Sequence, residues 1–286
     1  MDVRLPDPTV ATVDREFRFT KADFERVRAL IRERAGIALT PAKENMVYSR
    51  LSRRLRAKGL SRFEDYLQLL ESTDTEEWES FVNSLTTNLT SFFREAHHFP
   101  VLADLLRAQP RGAPLSIWCT AASTGEEPYT LAITACEAFN TLTPPVRILA
   151  SDIDTQVLAT AERGVYAEER WKGLDPTRLR KYFLRGTGKN AGKARVRPEL
   201  QALIDFQQIN LLAPDWPVPG NLIAIFCRNV MIYFDRPTQF QILSRFAPLL
   251  GPNGLLFAGH SESFNHASKL FRLRGKTIYE RVPAAR

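Results

Sequence analysis

A loop between an apolar run and a helix decides the fold of this 286-residue chain. The apolar run is PLSIWC at Pro114–Cys119, and the loop and the start of the helix are AASTGEEPYT at Ala121–Thr130. A strand that enters a small-residue loop and then a helix is typical of a nucleotide-binding site. We expect the single glycine, Gly125, to let a ligand approach the backbone closely. No lysine follows it, however, and Glu126 and Glu127 would repel a phosphate, so the stretch predicts a nucleoside site without a phosphate cradle.

The rest of the chain has a helical first part and an α/β second part. In the second part, the apolar runs LSIWCT, VRILASDID, ALIDFQQI, NLIAIFC and GLLFAG alternate with helical stretches. This alternation is typical of a doubly wound, mostly parallel sheet. We therefore expect a flexible N-terminus (1–18), a small basic helical domain (19–89) and a larger α/β domain (90–286) that ends in a hairpin around Arg274–Gly275.

The composition is that of an ordinary globular protein, with 44% hydrophobic and 25% charged residues. No apolar run is long enough to span a membrane and the first residues lack a signal-peptide core, so we expect a cytoplasmic protein without membrane insertion. The cysteines, Cys119, Cys136 and Cys227, are expected to be reduced core thiols. The histidine spacings match no metal-ligand pattern, so no metal is predicted. Nothing indicates an obligate oligomer, and we expect a monomer.

Positive charge is concentrated in one predicted helix of the first part. Residues 15–72 carry 14 Lys and Arg against 8 Asp and Glu, and Arg50–Arg62 holds six basic residues and no acid. Thr40 as N-cap, Pro41 as first helical residue and Gly59 as stop predict the helix. The face predicted to be buried consists of Met46, Val47, Leu51 and Leu55, and the basic face consists of Arg50, Arg53, Arg54 and Lys58. The basic face is either solvated or a docking surface for nucleic acid, a membrane or an acidic protein helix.

Polar residues follow four of the predicted strands at their carboxyl ends, where open α/β sheets bind ligands. They are the loop after the first strand, Asp152, Asn210–Leu211 and Arg228–Asn229. Each one alone has a structural explanation, such as a helix cap or a turn, but together they predict one pocket. S-adenosylmethionine fits an acidic nucleoside pocket, because its tail carries an ammonium and a sulfonium in place of phosphates. We expect Glu127 to meet that tail and Asp152 to bond the ribose hydroxyls.

Five motifs carry a resemblance to a known family: TTNLTSFFRE, AASTGEEPYTLAI, ASDIDTQVL, IFCRNVMIYFD and GLLFAGHSESF. They resemble the chemotaxis protein methyltransferases of the CheR family, which methylate chemoreceptor glutamates and release S-adenosyl-L-homocysteine. The resemblance implies a helical N-terminal domain and a Rossmann-like S-adenosylmethionine-dependent methyltransferase domain with a small inserted β-subdomain. It also implies that the cofactor is bound by Asn88, Thr90, Arg94, Glu127, Asp152, Asn210, Leu211, Arg228 and Asn229.

A glutamate acceptor requires no general base, because a side chain with a pKa near ~4.3 is already ionised at neutral pH. We expect Arg94 to orient this carboxylate and Tyr233 to place its hydroxyl beside the transferred methyl group. Two alternatives remain: a methyltransferase for another acceptor, or a receptor-binding module without turnover. Enzymes that N-methylate bases typically carry an Asp/Asn-Pro-Pro-Tyr/Phe element after the fourth strand, where this chain has RNVMIYF. We therefore expect no nucleic-acid partner.

The expected partners are methyl-accepting chemotaxis receptors, met at two surfaces. The basic helix is predicted to dock on the helical bundle that carries the glutamates. Segment 182–208 is predicted to be the inserted β-subdomain, although its composition equally suits a mobile loop. Its GTGKNAG sequence resembles the loop of family members that bind a short peptide at the receptor C-terminus. The predicted peptide-binding residues are Gly186, Gly188, Gly192 and Arg195.

Overall fold

The computed structural model describes residues 15–72, 76–110, 112 and 114–283, so residues 1–14 of the expected flexible terminus lie outside it. For residues 15–18 that expectation is wrong, because their side chains contact the helical domain. Phe17 is buried against Phe63, and Arg15 donates to Glu44 at 3.1 Å and to Asn45 at 2.7 Å.

The first part of the chain is helical, as predicted. Its helices are α1 (Lys21–Ala35), α2 (Glu44–Lys58), α3 (Phe63–Ser72) and α4 (Glu76–Leu85). α1 begins at a capping box, in which Thr20 and Asp23 bond each other's backbone N–H, and ends at Gly36 with a left-handed φ of 70°. The apolar faces of these helices pack into one core that includes Phe24, Val27, Ile31, Phe63, Tyr66 and Phe81.

The basic helix α2 begins later than predicted. A 3₁₀ turn at Pro41–Lys43 precedes it, and the Thr40 side chain makes no capping hydrogen bond. Thr40 therefore occupies the N-cap position of this turn, with Pro41 as its first residue, and not that of the α-helix itself. The N–H of Lys43 bonds the Thr40 carbonyl at 2.9 Å, which closes the tighter turn before α2 starts. Gly59 ends α2 as predicted, with φ 67°. Val47, Leu51 and Leu55 are fully buried, as predicted, and Met46 is partly buried.

The second part contains the predicted doubly wound sheet. Its strands are β1 (Leu115–Cys119), β2 (Val146–Asp152), β6 (Ile204–Gln208), β7 (Leu222–Cys227), β8 (Leu250–Ala258), β9 (Phe271–Gly275) and β10 (Ile278–Arg281). They lie in the order β6-β2-β1-β7-β8-β10-β9, with β10 antiparallel to both neighbours and the other pairs parallel. The predicted C-terminal hairpin is confirmed as β9–β10. Because the order reverses at β1, the crevice beside its carboxyl end is the expected ligand position.

Helices cover both faces of this sheet and enclose two apolar cores. They are α5 (His98–Arg107), α6 (Glu126–Phe139), α7 (Thr155–Arg163) and α11 (Arg236–Leu249). Within the described residues, no helix is long and apolar enough to cross a membrane.

A second, antiparallel sheet is inserted after α7, with bounds that differ from the predicted 182–208. Its strands are β3 (Val165–Ala167), β4 (Phe183–Arg185) and β5 (Lys193–Val196), in the order β3-β5-β4. The short helices α8 (Glu168–Trp171), α9 (Pro176–Tyr182) and α10 (Pro198–Gln201) accompany it. The insertion therefore starts before residue 182, at a strand too short to show periodicity. Ile204–Gln208 lies outside it, because this segment pairs with β2 in the main sheet.

Candidate active site

A cavity of about 420 Å³ lies at the carboxyl ends of β1, β2, β6 and β7, between the main sheet and the helical domain. It contains residues from each of the four predicted strand ends, so they do converge on one pocket. The cavity is lined by all nine residues expected to bind the cofactor, namely Asn88, Thr90, Arg94, Glu127, Asp152, Asn210, Leu211, Arg228 and Asn229, and also by Tyr233.

Asp152 is the last residue of β2 and is only 8% exposed. Its Oδ2 accepts from the Ser123 N–H at 2.8 Å and its Oδ1 accepts from the Asp154 N–H at 3.0 Å. Burial raises the pKa of Asp152 to about 6, although these backbone hydrogen bonds oppose the rise. Each oxygen keeps a further acceptor position, so the carboxylate can take a pair of neighbouring hydroxyls.

Glu127 and Arg228, both predicted to meet the cofactor, are paired with each other. Arg228 follows β7 directly, its side chain is 1% exposed, and its Nη1 lies 2.6 Å from Glu127 Oε2 in the first turn of α6. The other Glu127 oxygen accepts from the Cys119 thiol at 3.3 Å. Burial raises the pKa of Cys119 well above its ordinary value, so this group is a neutral donor.

Gly125 does not have the role predicted for it. It does not line the cavity, and a Cβ at this position would lie 2.6 Å from Tyr166 Oη and 2.8 Å from the Ala161 Cβ. The glycine is therefore required by close packing of α6 on α7 and on the inserted sheet. Its φ of 98° also favours glycine at the start of α6.

The segment between the two domains carries Asn88, Thr90 and Arg94. Asn88 Nδ2 donates at 2.8 Å to Asp154, whose carboxylate also caps α7. Arg94 Nη1 donates to the Leu89 carbonyl at 2.8 Å. The residues on either side of Arg94, Phe93 and Glu95, have left-handed φ angles of 52° and 55°. Strained backbone of this kind persists where surrounding contacts impose it, which is common at functional sites.

Asn210 and Tyr233 connect the cavity to the helical domain. Asn210 Nδ2 donates to the Arg34 carbonyl at 2.8 Å, and the carbonyl of Tyr233 accepts from the Ala38 N–H at 2.8 Å. The N–H of buried Leu211 donates to no acceptor in the residues that the structure describes. Ile153 and Ile209 add apolar side chains to the same cavity wall. This part of the cavity can therefore pack against a flat heterocyclic ring and donate one hydrogen bond to it.

Two acids that anchor this site were missed by sequence reasoning. Buried Glu262 accepts from the N–H of Asn229 at 3.0 Å, of Met231 at 2.8 Å and of Gly259. Glu95, whose side chain is 9% exposed, lies 3.4 Å from Arg228. They lie in the motifs GLLFAGHSESF and TTNLTSFFRE, but their roles depend on contacts with residues far away in the chain. The described residues contain no cluster of His, Cys, Asp or Glu that could hold a metal.

The residues predicted to dock the receptor lie outside the cavity and are mostly engaged within the protein. Arg54 and Lys58 both bind buried Glu77, at 2.7 Å and 3.0 Å, and Arg50 donates to the Thr86 carbonyl at 2.6 Å. Arg53 is exposed, and its side chain has no hydrogen bond or ion pair to any described residue.

The residues predicted to bind a peptide lie on strand β5 of the inserted sheet and in the loop between β4 and β5. Exposed Arg195 is on the central strand β5, opposite Val165 on one side and Leu184 on the other. A Cβ at Gly186 would lie 2.0 Å from the Asn190 carbonyl oxygen, whereas Gly188 and Gly192 face open space. Glycine is therefore required at position 186 because the conformation of the loop leaves no room for a side chain there.

Comparison with known proteins agrees with this geometry. The CheR methyltransferase all-alpha domain matches residues 22–86, and the CheR methyltransferase SAM binding domain matches residues 88–279. The chain is 55% identical over 271 residues to the chemotaxis protein methyltransferase of Klebsiella aerogenes, covering 94% of this chain and 93% of that protein. It is 54% identical over 280 residues to chemotaxis protein methyltransferase 2 of Pseudomonas aeruginosa, covering 98% and 99%.

A third relative, the chemotaxis protein methyltransferase of Escherichia coli K12, is 55% identical over 259 residues, covering 90% of each chain. These matches extend over both domains and confirm the predicted family, fold class and cofactor. The chain therefore belongs to the CheR family of S-adenosylmethionine-dependent chemotaxis protein methyltransferases.

Proposed function

We propose that the chain methylates glutamate side chains of chemoreceptors, yielding glutamate methyl esters and S-adenosyl-L-homocysteine for sensory adaptation. The observation that carries this proposal is the absence of a free general base among the described residues that line the cavity. No histidine or cysteine is among them, Asp152 is bonded by two backbone N–H groups, and Glu127 is paired with Arg228. An ionised carboxylate is an acceptor that reacts without such a base.

The donor and acceptor groups of the cavity fit S-adenosylmethionine, which supplies a methyl group activated by a sulfonium. Asp152 holds the ribose hydroxyls, the Leu211 N–H bonds the adenine, and Glu127 with Arg228 takes the charged tail. The acidity of the loop after β1 suits this cationic molecule and disfavours phosphates.

Arg94 and Tyr233 both line the cavity, and in this proposal they act on the acceptor. Arg94 attracts and orients the carboxylate, and Tyr233 fixes its approach to the methyl group. Exclusion of water and in-line alignment supply the acceleration, and orientation of this kind is worth up to ~7–11 kcal/mol in model reactions.

The charge distribution favours a carboxylate acceptor over nucleic acid. Lys43 and Arg94 line the cavity and attract an anion. On the outside, Glu77 neutralises much of the charge of Arg54 and Lys58, so the basic helix is a weaker polyanion surface than its sequence suggests. The exposed cation of Arg53 stays available for an acidic helix of the receptor.

The test is transfer of labelled methyl from S-adenosylmethionine to membranes that contain chemoreceptors, followed by mild alkali. Glutamate methyl esters release labelled methanol under these conditions. Label that stays on the receptor through alkali would indicate N-methylation and overturn the proposal. Cofactor binding without any transfer would favour the non-catalytic module.

A further inference from the structure

Arg228 lies between two carboxylates, of which only Glu127 lines the cavity. Its Nη1 is 2.6 Å from Glu127 Oε2, and its Nη2 is 3.4 Å from Glu95 Oε2 and donates to the Arg94 carbonyl. Because its side chain is only 1% exposed, the guanidinium is not stabilised by hydration and depends on these protein groups. A buried cation that loses its counter-charge destabilises its site strongly.

Glu95 is held in place independently of Glu127. Its Oε1 lies 3.0 Å from His260 Nδ1 and 3.4 Å from the amide nitrogen of Asn229, which come from the loops after β8 and β7. Burial raises the pKa of Glu95, but the hydrogen bond of His260 and the charge of Arg228 outweigh it and lower the pKa to about 2. The group is therefore a carboxylate throughout the physiological pH range.

Cofactor binding creates a conflict that a single carboxylate cannot resolve. The tail of S-adenosylmethionine has an ammonium, which suits Glu127, and a carboxylate, which suits Arg228. In this structure those two side chains satisfy each other. When Glu127 turns to the ammonium, Arg228 loses a fixed partner in the protein, and a second fixed anion is needed to hold the guanidinium in position for the cofactor carboxylate.

We propose that Glu95 is a positioning residue that retains Arg228 when Glu127 exchanges its partner for the ammonium of the cofactor. Because Glu95 remains on the far side of the guanidinium, the cofactor carboxylate and Glu127 share the near side. Glu95 does not line the cavity, so it acts on a ligand only through Arg228, and its contribution is confined to ligands that carry the amino-acid tail.

The experiment compares two probes that differ in this tail. Affinities of S-adenosylhomocysteine and of 5′-methylthioadenosine, which lacks the amino-acid group, are measured by calorimetry or competition for wild type and Glu95→Gln. We expect Glu95→Gln to weaken the binding of S-adenosylhomocysteine by about tenfold or more. The affinity for methylthioadenosine should stay within about twofold of the wild-type value. The ligand-induced rise in unfolding temperature provides a second readout and shows that the variant is folded.

Glu77→Gln is the matched control, because it neutralises another buried carboxylate that binds arginine, at a distance from the cavity. It is expected to change neither affinity. Equal weakening of both probes by Glu95→Gln would assign Glu95 a merely structural role, and unchanged affinity for both would show that Arg228 needs no second anion. Either result overturns the proposal, whichever acceptor the enzyme methylates.

Discussion

The backbone N–H of Ser123 donates to Oδ2 of Asp152 at 2.8 Å, and Ser123 adopts a left-handed φ of 49° to do so. The loop after β1 thus fixes the carboxylate at the end of β2. This bond joins the two strands on which the cofactor lies in our proposal, so the ribose acceptor is in place before the ligand arrives.

We expect Asp152 to make cofactor affinity dependent on pH. Its pKa is raised to about 6, so below that value the carboxyl is protonated and has lost acceptor capacity for the ribose hydroxyls. We expect affinity for S-adenosylhomocysteine to rise as the pH increases from about 5 to about 7 and then to level off. Calorimetry across this range in several buffers measures the effect.

The stability of the ligand-free protein should change in the opposite direction. For a carboxyl with a raised pKa, the stabilising contribution is complete below the unfolded value of 3.8 and is lost as the pH rises through about 6. Asp152→Ala should remove the pH dependence of both cofactor affinity and stability. It should also weaken cofactor binding by on the order of ten- to a hundredfold. Unchanged affinity in this variant would exclude Asp152 from the site.

Neighbouring arginines of the basic helix should respond differently to charge reversal. Arg53→Glu is expected to slow receptor methylation at low salt and to leave cofactor affinity and unfolding temperature unchanged, because Arg53 is exposed without a partner among the described residues. Arg54→Glu would face buried Glu77, so it should destabilise the helical domain by about 3–5 kcal/mol. Thermal unfolding and initial rates with receptor membranes distinguish the two effects. If a folded Arg53→Glu enzyme methylates receptors at the wild-type rate, the basic face of α2 is a solvated surface and not a docking surface.

Leu89 and Ile232 should contact the acceptor at the cavity mouth. Both line the cavity, yet Leu89 is 75% and Ile232 51% exposed, and Arg94 donates a hydrogen bond to the carbonyl of Leu89. Covering them with the acceptor would exclude water from the carboxylate. We expect Leu89→Ser to raise KM for the receptor several-fold, since about 1–2 kcal/mol of apolar burial is lost. Cofactor affinity should be unchanged.

Leu273→Ser is the control for that prediction. Leu273 is 52% exposed on edge strand β9 and does not line the cavity, so its substitution should leave the KM for the receptor unaltered. Equal effects of the two substitutions would mean that the exposed leucine at the mouth has no specific contact.

The sequence predicted where the site lies better than what holds it together. Strand periodicity, together with the rule that open α/β sheets bind ligands at the carboxyl ends of their strands, was enough to place Asp152 and Arg228 in one cavity. Both arguments use only the local pattern of the sequence. The neutralisation of Arg54 by Glu77 joins residues on different helices, and the crowding of Gly125 comes from Tyr166 in the inserted sheet. Such contacts depend on tertiary packing, which leaves no periodic signal in the chain.

The inserted sheet should bind a peptide from the receptor C-terminus on the side of β4. β4 pairs with β5 on one edge and with no other described strand on the second, so its outer backbone groups can accept an added strand. Arg195 stands between the half-exposed side chains of Val165 and Leu184, a combination that suits an acidic residue with apolar neighbours. Tethering in this way raises the local concentration of acceptor glutamates without changing the chemistry.

Titration of receptor-tail peptides against wild type and Arg195→Glu tests this surface. We expect the substitution to weaken peptide binding by about tenfold or more. Cofactor affinity and the methylation of receptors that lack the tail should be unchanged. Deletion of residues 188–192 should also abolish binding, whereas Gly186→Ala should unfold the loop, because its Cβ would meet the Asn190 carbonyl. If wild type binds no tail from any receptor of its host, the sheet has another role.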